Sequence, residues 1–353
     1  MISLPPESAR LVDDAIARSL GRLSTRGARF SASLEDLVRA TANAADGGKR
    51  FRPALVVAAF RAFGGDVDDV PAIWDVAAAF ELLHTAFVIH DDVIDRDIER
   101  RGVPNVSGSF RRRGEDAGAT TDNAALLGNA AGVLGGDLLL FETARLIASA
   151  PLSAPQREAL LDLVDEAVLR SAGGELRDVE HAVLPPVPDA DELLATAYEK
   201  TAVYSFEAPI AAGALLADAS SAQRTAVSDA AGKLGLAFQL VDDLIGTFGS
   251  PEQAGRAAGA DLRESKRTTL VALAQRSPDW ARVSMALDLA PTGPIAIRRA
   301  QKELTTSGAR AALHELIASM IEQARAVAAD PVLPSAAVEL LAGIADHIEK
   351  RMP

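Results

Sequence analysis

Apolar residues recur three and four positions apart along almost the whole chain, the spacing that lines one face of an α-helix. The pattern predicts helices over residues 6–23, 31–45, 53–64, 70–98, 122–149, 155–182, 189–217, 221–248, 267–287, 294–327 and 334–350. Start signals accompany several of them: Pro53 suits a first helical turn, and Asp189 and Ser221 can accept from the free N–H groups there. No alternating run of β-branched residues is bounded by hairpin turns, so no sheet is expected. Three stretches interrupt the helices: 102–121 with its basic run Arg111, Arg112, Arg113; the proline linker 183–188; and the Gly-rich, charged segment 249–266. None is long or polar enough to divide the chain. One all-α domain is predicted, its polar loops gathered near a functional end.

Composition narrows the class rather than the fold. Hydrophobic residues make up 48% and charged residues 24% of 353, ordinary for a soluble globular chain that buries its core without staples. Cysteine is absent, which removes disulfides, thiolate zinc sites, iron–sulfur clusters and thiol nucleophiles, and fits a reducing compartment. A net charge of −13 with 4% aromatics argues against nucleic-acid binding, which needs a basic face and stacking platforms. The start, MISLPPESAR, has no basic residues leading into an apolar run. The most apolar stretch, Val76 to His90, is broken by Glu81 and His84. Neither a signal peptide nor a transmembrane segment is expected, and the expected location is cytoplasmic.

Against this background an internal echo stands out. Phe87-Val-Ile-His-Asp-Asp-Val-Ile-Asp95 resembles Phe238-Gln-Leu-Val-Asp-Asp-Leu-Ile-Gly246, each placing adjacent carboxylates at the polar end of an apolar helix. Asp91 and Asp95, four apart, project from one helical face and can grip one cation; Asp92 lies beside them and Asp97 follows. Four acids within seven residues repel one another, and a single such cluster could be a solvated helix end. Two clusters, each entered from an apolar stretch, point to metal. All-oxygen ligands suit Mg²⁺, which keeps waters and shares its shell with phosphates. His90 is read as structural.

Basic residues supply the complement. Lys49, Arg50 and Arg52 stand at a helix start, Arg100 and Arg101 just past the first acidic cluster, and Lys200, Lys266 and Arg267 on later segments. Each alone fits surface solubility. With acidic chelators in the same chain they suggest an oxyanion held partly through metal and partly by Arg and Lys. Gly47-Gly48-Lys49-Arg50 lacks the spacing of a Walker loop.

Taken in order, GGKRFRP, ELLHTAFVIHDDVIDRDIERRG, GGDLLL, YEKTAVYSFEAP, FQLVDDLIG and GADLRESKRTTL resemble the trans-isoprenyl diphosphate synthases, or polyprenyl synthetases, of the short-chain, geranylgeranyl type. The resemblance implies the isoprenoid synthase fold: one antiparallel helix bundle around a deep central cavity, spanning residues 1–353, with a motif-bearing core at about 47–270, C-terminal helices at about 294–350, and a homodimer as the assembly. It implies condensation of isopentenyl diphosphate with allylic diphosphates of C5 to C15. In the family pattern Asp91 and Asp95 ligate Mg²⁺ with Asp92 in support, and Asp242, with Asp243 beside it, ligates a further ion. Lys49, Arg52, His84 and Arg101 match positions that hold isopentenyl diphosphate. Arg100, Lys200 and Lys266 match the clamp on the allylic diphosphate, with Thr201 and Gln239 facing the same site; Arg50 falls within the basic motif. No motif extends past about residue 275.

The chemistry explains this kit. The allylic C–O bond ionises, metal and cations stabilise charge on the leaving diphosphate, and a dry apolar cavity protects the allylic cation until the isopentenyl double bond attacks. Ala86 and Phe87, five and four residues before Asp91, occupy the family's chain-length positions. One aromatic of the two implies C20 or C15, and C20 is expected. Three departures stand out: Gly246 replaces a third acid, Glu175 stands where Gln is common, and Ser265 where Gly is common. A terpene cyclase would need Ser/Thr and Glu where Gly246 and Ser250 stand. A non-catalytic partner subunit would be expected to lose aspartates or cations that this chain keeps.

Overall fold

A computed structural model describes residues 3–185, 188–254 and 258–353. The helices are α1 (Pro6–Gly27), α2 (Ala32–Ala45), α3 (Phe51–Ala62), α4 (Ala72–Ile94), α5 (Val106–Asp116), α6 (Thr121–Ser149), α7 (Ala154–Val183), α8 (Ala190–Ala197), α9 (Ala208–Leu216), α10 (Ser221–Phe248), α11 (Pro251–Ala254), α12 (Ala260–Arg263), α13 (Thr269–Gln275), α14 (Trp280–Leu289), α15 (Pro294–Thr306), α16 (Ala309–Ala328) and α17 (Ser335–Arg351). A π-helical turn (Tyr198–Glu207) joins α8 to α9. Among the described residues the chain is all-α, as expected, apart from a two-stranded hairpin of β1 (Glu99–Arg100) and β2 (Val103–Pro104).

That hairpin corrects the expectation of no sheet. It turns on Arg101 and Gly102, at φ 55° and 77°, the pair of positive angles a two-residue hairpin turn requires. Arg-Gly flanked by charged residues carries no strand signal. Other boundaries moved for similarly local reasons. Ser220, not Ser221, caps α10, reciprocated by Gln223; Asp189 caps α8 with Glu192 as expected. The segment 102–121 contains α5, started by Asn105 and anchored by buried Val106 and Phe110. The predicted helix 267–287 is cut by Ser277-Pro278, and 294–327 by Gly308 at φ 85°. Pro186 and Val187 of the linker, and residues 255–257 of the third loop, lie outside the described residues.

The chain forms two compact units, one holding residues up to 164 plus 212–218, the other residues 165–211 and 219–353. In the first, α4 is the central element and packs on α1, α3 and α6. Its side chains Ile73, Phe80, Leu82, Leu83 and Ile89 are buried with Leu55, Phe60, Leu139 and Ile147. Ser19 and Arg22 of α1 both reach the buried carboxylate of Glu142 on α6. In the second unit α10 is central. It packs on the π-helical turn, α12, α16 and α17, burying Val227, Leu234, Leu240 and Leu244 with Leu313, Ile317 and Ile321 present in the same core.

Two helices have the length and composition of a membrane span, where the sequence reading found none: α4, 78% buried over its apolar window, and α6, 39% buried. The first is a core helix. The second leaves Leu126, Leu127, Val133, Leu134 and Phe141 exposed.

Candidate functional site

The first acidic motif forms the last turn of α4. The helix ends four residues earlier than its predicted limit because the chain reverses: Asp97 N–H bonds the Asp92 carbonyl at 2.8 Å, Arg96 N–H the Val93 carbonyl at 3.3 Å, and Arg96 adopts φ 62°. Asp91 is half-buried and Asp95 exposed, one turn apart on one face. Asp92 is 3% exposed and accepts from Arg100 Nε at 3.0 Å and Nη2 at 2.7 Å. Removal from water pushes the Asp92 carboxyl up, and the Arg100 hydrogen bonds oppose that rise. Arg100 Nη2 also lies 3.8 Å from Asp91.

Over its C-terminal half α4 is only partly buried. His84, Phe87, Val88, His90, Asp91 and Val93 are partly accessible, and Ile94 and Asp95 are exposed. Steps of three and four place five of them, His84, Phe87, Val88, Asp91 and Asp95, in one stripe, apolar in the middle and acidic at the end. Ala86 is fully buried. His90 lies off the stripe, its Nε2 at 3.2 Å from the Val133 carbonyl, in keeping with a structural role.

Three of the predicted diphosphate-binding cations, Arg52, Arg100 and Arg101, lie close enough to the same stripe to act on His84. The His84 imidazole is held well below its ordinary range, first by shielding from water, then by the charges of Arg52, Arg100 and Arg101. His84 is therefore neutral, with three guanidinium groups acting on it. Lys49 is exposed, lining a cavity of about 210 Å³ with Asp13, Asp46, Gly48 and Arg50. Arg50 behaves differently from its sequence assignment. Only 9% exposed, it donates to Asp13 at 2.8 Å, the Ala45 carbonyl at 2.9 Å and Glu81 at 3.1 Å. Its guanidinium fastens the loop before α3 to α1, α2 and α4. Its φ of 47° matches the strained geometry of Arg101, a pattern concentrated at functional sites.

In the second unit, the π-helical turn carries Lys200 and Thr201. Pro209 cannot donate to Ser205, and the turn ahead widens so that Ala208 N–H bonds the Val203 carbonyl. Gly174 of α7 lies so close to the Lys200 backbone that no Cβ would fit. The close approach brings Glu175 to 3.0 Å and Asp178 to 2.7 Å from Lys200 Nζ. Two carboxylates thus orient one ammonium.

The second acidic motif lies on α10. Gln239 donates to Asp243 at 3.0 Å. The Asp243 carboxyl is pushed up to about 7, first by removal from water, then by Asp261, with Gln239 and Lys266 opposing. Asp261, from α12 and 4% exposed, sits against Gly246, where a Cβ would collide with its carboxylate. Gly246 replaces a third acid in the sequence; a carboxylate from α12 occupies that space instead. Arg351, at the end of α17, donates to Asp242. Asp178, Asp261 and Arg351 were absent from the sequence assignment. Asp178 lies three residues after the noted Glu175 and Asp261 within GADLRESK, but Arg351 had no local signal.

Among the described residues no three His, Asp or Glu side chains converge as a closed metal cage. One or two carboxylates per motif, completed by water and phosphate oxygens, is instead the sparse oxygen set that Mg²⁺ tolerates. A groove of about 850 Å³ lined by Ser221, Thr225, Asp229, Ala326 and Asp330 contains none of the predicted site residues.

The polyprenyl synthetase family model matches residues 34–299. A short chain isoprenyl diphosphate synthase of Methanocaldococcus jannaschii is 30% identical over 69% of this chain and 67% of its own length. A geranylgeranyl diphosphate synthase of Mycobacterium tuberculosis is 34% identical over 84% of this chain and 78% of its own. For two further archaeal relatives the alignment spans 62% of their length, under two thirds. A crystal structure of geranylgeranyl pyrophosphate synthase from Corynebacterium glutamicum, complexed with isoprenyl diphosphate and magnesium, superposes with a TM-score of 0.89 at 27% identity, covering 98% of this chain and 99% of that one.

Proposed function

The chain belongs to the polyprenyl synthetase family, and from that premise we propose that it is a Mg²⁺-dependent short-chain prenyltransferase, joining isopentenyl diphosphate to allylic diphosphates and stopping at the C20 geranylgeranyl product. The observation that carries this reading is the accessible stripe on α4. It runs from two carboxylates at the helix end over Phe87 and Val88 to His84, on a helix whose remaining residues are mostly buried. A polar head and an apolar tail laid along one helix fit a prenyl diphosphate.

The acidic residues fit Mg²⁺ by the chemistry of their donors: Asp91 and Asp95 would hold it at the first motif and Asp242 at the second. Bound there, the metal would neutralise the leaving diphosphate. The chain's own groups do the rest. Arg52 and Arg101, together with the exposed Lys49, bind the isopentenyl diphosphate, and neutral His84 offers an N–H without adding charge. Asp92 orients Arg100 toward the allylic diphosphate. Glu175 and Asp178 orient Lys200, and Lys266 adds charge beside the second motif. Thr201 and Gln239 contribute polar groups on the allylic side. Phe87, one turn (about 5.4 Å) from Asp91, floors the space available to the growing chain; Ala86 lies buried behind it. Arg50 shapes the basic loop rather than touching substrate.

A homodimer is part of the reading. Apolar side chains left exposed on α6, a helix hydropathic enough to be a core element, support a partner surface there. We read the two compact units as one catalytic domain, acting in the cytoplasm. The test supplies purified protein with Mg²⁺, labelled isopentenyl diphosphate and each of the C5, C10 and C15 primers, and sizes the dephosphorylated products. A C20 alcohol is expected; a C15 limit would favour the farnesyl alternative, and no incorporation from any primer overturns the synthase reading.

A further inference from the structure

We infer that Arg351 is a positioning residue of the second acidic motif, holding and neutralising Asp242 until a divalent ion takes over that carboxylate. The inference rests on the metal role proposed for Asp242 and extends it to the C-terminal end of the chain. Three observations converge. The guanidinium donates through Nη2 to Asp242 Oδ1. Its central carbon lies 4.2 Å from the ring centroid of Phe238, one helical turn before Asp242 on α10. Its Nη1 is buried with no hydrogen-bond partner among the described residues.

The first two carry the reading. One arm of the guanidinium engages Asp242 and its face covers Phe238, so Arg351 is committed to the turn of α10 that bears the second motif. The chain end is also fixed. Arg310 Nη2 donates to the Pro353 carbonyl at 2.8 Å, and Arg310 stacks 4.5 Å from the Phe248 ring on the same α10. The guanidinium is thus delivered to Asp242 by an anchored segment.

The consequence is competition. A metal ion at Asp242 meets the positive charge of the guanidinium on the same carboxylate. Metal binding therefore works against that neighbour, and removing it makes binding tighter. In the metal-free protein the same removal leaves Asp242 with less compensation beside Asp243.

The experiment titrates MgCl₂ into full-length protein at fixed inorganic pyrophosphate and follows the melting temperature. It compares wild type, Arg351→Gln, Arg351→Lys and Asp242→Asn. The expected result is a Mg²⁺ midpoint lowered about fivefold in Arg351→Gln, with a smaller change in Arg351→Lys. Without metal, Arg351→Gln melts lower than wild type, and saturating Mg²⁺ with pyrophosphate closes that gap. A midpoint unchanged in Arg351→Gln, while Asp242→Asn loses the shift, overturns the role of Arg351 alone. A wild type with no Mg²⁺-dependent shift, or one that Asp242→Asn leaves intact, removes the metal role of Asp242 and the inference with it.

Discussion

Single side chains here sort into those aimed at a ligand and those consumed by the fold, and the difference lies in their partners. With the metal-ligand roles proposed for Asp91 and Asp242, Asp91→Asn and Asp242→Asn are each expected to cut kcat by about two to three orders of magnitude with circular dichroism unchanged. Arg50 is consumed by the fold. Replacing it with Met leaves Glu81 buried without its counter-ion and should lower stability by about 3–5 kcal/mol in urea denaturation. Asp243 predicts a pH dependence. Its carboxyl, raised to about 7 in the folded protein, holds a proton that the unfolded chain has already lost above the ordinary carboxylate range. Folding is therefore progressively penalised as pH rises toward about 7, and the penalty is complete above it. Metal-free Asp243→Asn should gain stability over wild type at pH 8 and lose that advantage by pH 4; equal melting curves at both would refute the assignment. Such pairings were only partly legible in sequence. The aspartate pairs announced themselves by spacing, but the Arg50–Asp13–Glu81 and Arg351–Asp242 contacts join residues tens to over a hundred positions apart, and no local pattern encodes them.

At the scale of elements, periodicity located the helices well and their ends less well. The reason is visible in α4: the apolar repeat continues to Ile98, yet the helix stops at Ile94 because Arg96 adopts a left-handed conformation that no propensity favours for arginine. The π-helical turn was equally hidden, since Pro209 acts on the backbone ahead of it while the side-chain pattern runs on. What the pattern did anticipate is the polar end of α4 followed by Phe87 one turn deeper. The accessible stripe gives that spacing a use. Truncating Phe87 to Ala opens the apolar part of the stripe without touching the carboxylates. Products longer than those of wild type should appear on reversed-phase chromatography after dephosphorylation, with the consumption rate of the C15 primer changed less than the product length. An unchanged distribution would mean that Phe87 is packing and nothing more.

At the scale of the molecule, α6 poses the remaining question. It passes the length and hydropathy demanded of a buried or membrane-spanning helix, yet most of its apolar window is uncovered. The uncovered side chains are not scattered: Leu127, Leu134 and Phe141 stand seven apart, and Leu126 and Val133 form a second row with the same spacing. Phe141 is 66% and Leu126 68% exposed, more than isolated surface leucines require. Two rows at heptad spacing are the face that one helix offers another, and a self-complementary pairing across a twofold axis lets identical copies cover each other. A charge in that face would have to be desolvated twice per dimer. Leu134→Arg is therefore expected to convert a species of twice the chain mass into one of 36.8 kDa in light scattering, while the Mg²⁺-dependent melting shift survives if the metal site lies within one chain. A dimer that tolerates Leu134→Arg and Phe141→Arg together would place the assembly surface elsewhere and leave α6 to another partner.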